Sequence, residues 1–249
     1  MTDLAVTTER DGAVGLIRID HAPSRNTLTA PMLREVVEVL EGFDADSGVH
    51  CVVIAGTKDV FAIGGDVADA DRQDPADLWR RLRGPLTPTI AAVSGMALGG
   101  GWELALTCDM VIATEGTQFG APELALGLIP GGGATQRLTR TIGRQRTMEM
   151  VLTGSRIDTD TAVKLGLVNQ SVRSRDWLNQ VMEVARFVAS RPPLAARLAK
   201  QAVLSAEELP LTSGFEAERR LYRQAMATED RVEAMQAYRE KRKPKFEGR

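Results

Sequence analysis

Two glycine-rich turns, Phe61-Ala62-Ile63-Gly64-Gly65-Asp66 and Ala97-Leu98-Gly99-Gly100-Gly101-Trp102-Glu103, each combine an apolar run with a carboxylate. Glycines that open a helix let a ligand approach N–H groups with no intrahelical acceptor, and such donors polarise a carbonyl oxygen. A further carboxylate, Glu123, follows proline in Phe119-Gly120-Ala121-Pro122-Glu123. Carboxylates beside an activated carbonyl supply general acid and base chemistry. Taken singly, each feature also fits a structural role. Asp66 reads as a helix cap, Glu103 as a dipole partner, Glu123 as a helix start, and the glycine triplet as tight strand-to-helix packing. Spacing alone does not bring them together.

The rest of the inventory narrows the chemistry. His21 and His50 are the only histidines, and neither stands in a metal-ligand pair or beside a nucleophile motif. G-x-S-x-G, H-E-x-x-H and G-x-x-x-x-G-K-[ST] are absent, which removes most support for triad hydrolysis, zinc chemistry and P-loop phosphoryl transfer. Leu104 takes the last glycine position of a G-x-G-x-x-G fingerprint, so dinucleotide binding is not indicated there either. Cys51 and Cys108, the only cysteines, lie in apolar runs, as reduced thiols of a cytoplasmic protein do. Lys+Arg 31 against Asp+Glu 33 gives a net charge of -2, so no global basic field attracts nucleic acid or anionic lipid. The amino terminus lacks a secretory pattern, and no apolar run is long enough to insert in a membrane.

The elements that must carry these residues alternate. Val14–Ile19, Cys51–Ala55, Thr89–Val93 and Met110–Ala113 read as strands. A helix-period segment with Leu33, Val36, Val37 and Leu40 lies between the first two, with Thr29 and Pro31 at its start and Gly42 near its end. Trp102–Thr107 is a second helix, and Asp158 caps a short one ending at Gly166. From Trp177 to Tyr238 the pattern is amphipathic helix, interrupted at Arg191-Pro192-Pro193. The chain therefore reads as α/β, with 249 residues in one continuous domain: a core over 1–190 and a helical region over 191–249. Its basic end, Arg239 to Lys245, reads as a solvated terminus or as a phosphate contact.

The segments Ser24-Arg25-Asn26-Thr27-Leu28, Phe61–Asp66, Ile90–Ala105, Phe119–Glu123, Gly127–Leu138 and Tyr238–Lys243 together resemble the crotonase superfamily, and within it the enoyl-coenzyme A hydratase branch. The resemblance spans essentially the whole chain. It implies a spiral of β-β-α units with perpendicular sheets and a helical C-terminal region that makes trimers, commonly paired into hexamers. It implies reversible syn addition of water to a trans-2-enoyl-CoA, giving a 3-hydroxyacyl-CoA, as in β-oxidation of fatty acids.

Carried over by position, the N–H groups of Gly65 and Gly100 form the oxyanion hole, Glu103 and Glu123 are the catalytic carboxylates, and Gly131 helps to position water. Coenzyme A contacts fall on Arg25, Asn26, Thr27, Leu28, Ile63, Gly64, Asp66 and Val67, with Tyr238 and Lys241 arriving from a neighbouring subunit. No cofactor or metal is implied, since coenzyme A belongs to the substrate. Departures from the usual pattern are Gly65 for alanine, Ala134 for glycine, a short Asp66–Thr87 segment, and Trp102, which either narrows an acyl pocket or packs into the core. Alternatives on the same scaffold are Δ3-Δ2-enoyl-CoA isomerisation, for which one carboxylate suffices, and a non-catalytic acyl-CoA-binding homologue.

Overall fold

A hairpin opens the chain: β1 (Val6–Asp11) pairs antiparallel with β2 (Val14–Ile19). The computed structural model describes residues 5–65 and 76–249. After β2 the chain repeats a unit of one strand in a first sheet, one short strand in a second sheet, and a helix. In sequence these are β2, β3 (Thr27–Leu28) and α1 (Ala30–Ala45); β4 (Cys51–Ala55), β5 (Ala62–Gly65) and α2 (Ala76–Leu82); β6 (Thr89–Val93), β7 (Met96–Leu98) and α3 (Gly100–Thr107). The unit of β8 (Met110–Thr114) and β9 (Gln118–Gly120) ends in a 3-10 turn, Glu123–Leu126.

The first sheet runs β1-β2-β4-β6-β8-β11, its last strand being β11 (Gln170–Val172); the second runs β10-β9-β7-β5-β3, with β10 at Arg156–Asp158. Apart from β1 with β2 and β10 with β9, which are antiparallel, the pairings are parallel. This is the β-β-α spiral the resemblance implied.

The first sheet is covered on both faces, which explains why its strands read as unbroken apolar runs. Val14, Leu16, Cys51, Val53, Ile90 and Ile112 point to α7 (Trp177–Ala189), where they meet Trp177, Val181, Met182 and Ala185. The alternate residues Ile17, Ile19, Val52, Ile54, Ala91 and Val111 point inward to a larger core with Phe61, Trp102 and Phe119. In α1 the Thr29 hydroxyl accepts the Met32 N–H at 3.3 Å, and Leu33, Val36, Val37 and Leu40 are buried, as their spacing requires. The helix continues to Ala45, past Gly42, because the next turn still packs Phe43 on the core.

Helices α4 (Ala134–Ile142) and α5 (Arg144–Thr153) precede β10; α6 (Thr159–Lys164) is capped by the Asp158 carboxylate, 2.8 Å from the Thr161 N–H. The prolines at 192 and 193 separate α7 from α8 (Pro193–Glu208), followed by α9 (Leu211–Met226) and α10 (Glu229–Glu240). None of the described helices is long and apolar enough to cross a membrane.

Candidate active site

The site forms where α3 begins. α3 passes so close to β5 that a Cβ on Gly101 would lie 2.0 Å from the Ala62 carbonyl oxygen, so this crossing excludes any side chain. The close approach brings the two glycine turns together: a Cβ built on Gly100 would stand 3.8 Å from the Gly65 nitrogen, and one built on Gly99 3.1 Å from the Gly64 Cα. Gly100 is the first residue of α3, where N–H groups have no acceptor within the helix.

Glu103, one turn into α3, is buried at 3 % exposure. Its Oε1 accepts the Gly132 N–H at 2.7 Å and the Ala134 N–H at 3.0 Å, both from the segment that leads into α4. Burial pushes its carboxyl up, while the N–H groups of Ala134, Gly132 and Gly133 and the charge of Arg137 pull the other way. Gly132 must be glycine here, because a Cβ would meet Trp79 at 2.6 Å and Glu103 Oε2 at 2.8 Å.

Glu123 opens the 3-10 turn after Pro122 and points back to the glycines, with Oε1 3.3 Å from the Cβ position of Gly99. Both its carboxyl oxygens are shielded from solvent, yet neither has a hydrogen-bond donor from another residue. Burial raises its pKa, only its own backbone N–H offsets this, and the negative charge of Glu103 raises it further. Two carboxyls thus flank one pair of glycine turns, both pushed up by burial: Glu103 has backbone N–H donors that offset the shift and favour its ionised form, while Glu123 has no donor from another residue. That asymmetry is what acid and base partners in one reaction require.

The structure brings Gly65, Gly100, Glu103 and Glu123 together. Gly131 is exposed with open space about it, one residue before the N–H that holds Glu103. Thr27, Ile63 and Gly64 share the β3–β5 edge, where Ile63 pairs with Thr27 and donates its N–H to the Asn26 carbonyl at 3.2 Å; Arg25, exposed and left-handed, caps the 3-10 turn Ala22–Ser24 just before it. Asn26 itself is buried. Its amide donates to the carbonyls of Ile19, Val60 and Phe61, and its Oδ1 accepts the His21 N–H, so the side chain shapes this turn from inside. Leu28 is likewise a core residue.

Asp66 and Val67 lie outside the described residues. Tyr238 is 83 % exposed on α10, and Lys241 is its exposed left-handed cap. Trp102 is fully buried and tilted against Phe119, with centroids 4.5 Å apart, which decides for core packing over a pocket wall. Sequence reasoning missed Gly132, Ala134 and Arg137. The available signal was the second glycine triplet, Gly131-Gly132-Gly133, opening α4.

Comparison with known proteins places the chain in a family. The Enoyl-CoA hydratase/isomerase family profile matches residues 9–249. A probable enoyl-CoA hydratase of Mycobacterium tuberculosis is 41% identical, covering 99% of each chain. The 2,3-dehydroadipyl-CoA hydratase of Escherichia coli is 39% identical, covering 100% of each. The solved structure of enoyl-CoA hydratase subunit I from Geobacillus kaustophilus superposes with a TM-score of 0.94 at 40% identity, covering 99% of each chain.

Proposed function

Because this chain belongs to the enoyl-CoA hydratase/isomerase family, we propose that its paired carboxyls add water reversibly to the double bond of a trans-2-enoyl-CoA. The observation that carries this is the opposed surroundings of Glu103 and Glu123 on either side of the Gly64–Gly65 and Gly99–Gly100 turns. The thioester oxygen receives the N–H groups of Gly65 and Gly100, which stabilise enolate-like charge as addition proceeds; one such donor is worth about 3–4 kcal/mol in other enzymes. Glu103, ionised, takes a proton from water as its oxygen bonds to Cβ. Glu123, protonated, delivers its proton to Cα. Hydroxyl and hydrogen add on the same side, and in dehydration the two residues exchange roles. Gly131 lines the approach of the water.

Arg25, Thr27, Ile63 and Gly64 offer a surface for coenzyme A, which enters as part of the substrate, so hydration needs no separate cofactor. Tyr238 and Lys241 would complete that surface from a second copy in a trimer or hexamer. In support, α9 presents Leu211, Phe215, Tyr222 and Met226 to solvent at helical spacing. The free thiols of Cys51 and Cys108 support a cytoplasmic setting, and a role in fatty-acid β-oxidation fits the reaction.

The test is loss of conjugated-thioester absorbance on a short trans-2-enoyl-CoA, with wild type beside Glu103→Gln and Glu123→Gln. Wild type turns over, and each variant loses about 10²–10⁴-fold in kcat while still binding the thioester. Wild-type rates in either variant would remove that residue from the mechanism, and an inactive wild type would overturn the hydratase reading.

A further inference from the structure

Glu103 reaches its place through a relay that starts on the next helix. Arg137, one turn into α4, donates from Nη1 to the Gly132 carbonyl oxygen at 3.0 Å. The N–H of the same Gly132 holds Glu103 Oε1 at 2.7 Å. The guanidinium folds back beneath the segment: a Cβ on Gly133 would lie 2.2 Å from Nη1, and Gly133 has φ +113, which a side chain would also oppose. Arg137 is partly shielded from solvent and, among the described residues, its guanidinium is in no ion pair, so the tie to Gly132 is its one side-chain hydrogen bond.

We propose that Arg137 is a positioning residue for the hydration step, clamping Gly132 so that its N–H fixes the Glu103 carboxylate toward the attacking water. The proposal rests on the hydratase reading. The Gly133 carbonyl already accepts the Gln136 and Arg137 N–H groups, but the Gly132 carbonyl has only the guanidinium; without that donor the Gly132–Gly133 peptide, between glycines, is freer to turn, and the N–H that orients Glu103 turns with it. Charge acts in the same direction. The groups that face this pair are Arg83 from the end of α2, Glu207 from α8, Cys108 at the end of α3, and Glu123 across the site. Of these Glu207 is drawn to the guanidinium and Arg83 opposes it, while Arg137 itself favours the ionised form of Glu103. Removing it therefore shifts Glu103 ionisation to higher pH.

The experiment measures kcat and KM against pH for wild type, Arg137→Met and Arg137→Lys on the same enoyl-CoA. A wild type that fails to hydrate defeats the hydratase reading and is seen before any variant is compared. With an active wild type, Arg137→Met loses roughly 10²-fold in kcat with KM nearly held, and the acidic limb of its kcat profile moves to higher pH. Arg137→Lys keeps the charge without the planar fork, so it recovers part of kcat and most of the limb. Wild-type kcat in Arg137→Met, or a loss that Arg137→Lys does not partly recover, overturns the proposal and leaves Arg137 a packing residue. If Arg137→Met does not fold, Arg137→Lys decides: lowered kcat at unchanged KM supports the clamp, and wild-type kcat overturns it.

Discussion

Replacing Glu123 by glutamine removes a carboxyl whose ionisation the fold opposes, so the change that abolishes activity should also stabilise the protein. The sign follows from linkage. Burial raises the Glu123 pKa in the folded chain, so its protonated form favours folding at pH below the unfolded value, and that contribution is lost as pH rises through the folded value. Thermal unfolding between pH 4 and pH 8 therefore finds Glu123→Gln melting about 2–4 °C above wild type at the alkaline end, the gap closing toward pH 4. A gap that is constant with pH would mean that Glu123 is not held against its charge. Glu103→Gln differs, because the amide cannot accept the Gly132 and Ala134 N–H groups through a charged oxygen and the gain is offset. At this scale both carboxylates were legible in the sequence, each next to a glycine turn. Arg137 was not: a hydrogen bond to a carbonyl five residues back leaves no mark on residue type or period.

A network of partly shielded charge ties α8 to the spiral. Lys200 Nζ lies 2.8 Å from Asp109 Oδ2 and donates to the Thr87 carbonyl at 3.1 Å, while Arg197 Nη2 reaches the Asp44 carbonyl at 2.6 Å and the Thr87 hydroxyl at 2.7 Å. Asp109 in turn accepts the Thr89 N–H at 2.7 Å, so α8 is tied to the first strand residue of β6. Lys200→Met leaves the partly solvated Asp109 without its cation and should cost about 1 kcal/mol in denaturant unfolding, part of which Asp109→Asn restores in the double variant. Additive losses would show that the pair is not coupled. The four central strands of the first sheet, β2, β4, β6 and β8, were readable because both their faces are buried and nearly every residue is apolar, whereas the polar edge strands β1 and β11 were not. Those of the second sheet were not, since β3, β5, β7 and β9 hold only two to four residues each, too few for a period to register.

For the molecule as a whole, the apolar stripe of α9, with Leu211 at 74% and Tyr222 at 63% exposure, sits on a helix that packs mainly on α8. Covering it with a second copy predicts an assembly larger than one chain in sedimentation, and Phe215→Glu with Tyr222→Glu should shift it to smaller species; a monomeric wild type would contradict the proposal. By itself the sequence determined the α/β class, the long helices, the four central strands of the first sheet and the residue types at the site, because hydrophobic period, caps and glycine turns are local properties of the chain. Only the tertiary structure decided that Glu103 is held by the Gly132 and Ala134 N–H groups, that Glu123 is left without a donor, and that Trp102 belongs to the core. Those facts depend on segments roughly 20 to 30 residues apart meeting through the spiral: desolvation, which raises both carboxyls, and the N–H donors, which offset it at Glu103 alone, exist only once that meeting has excluded water.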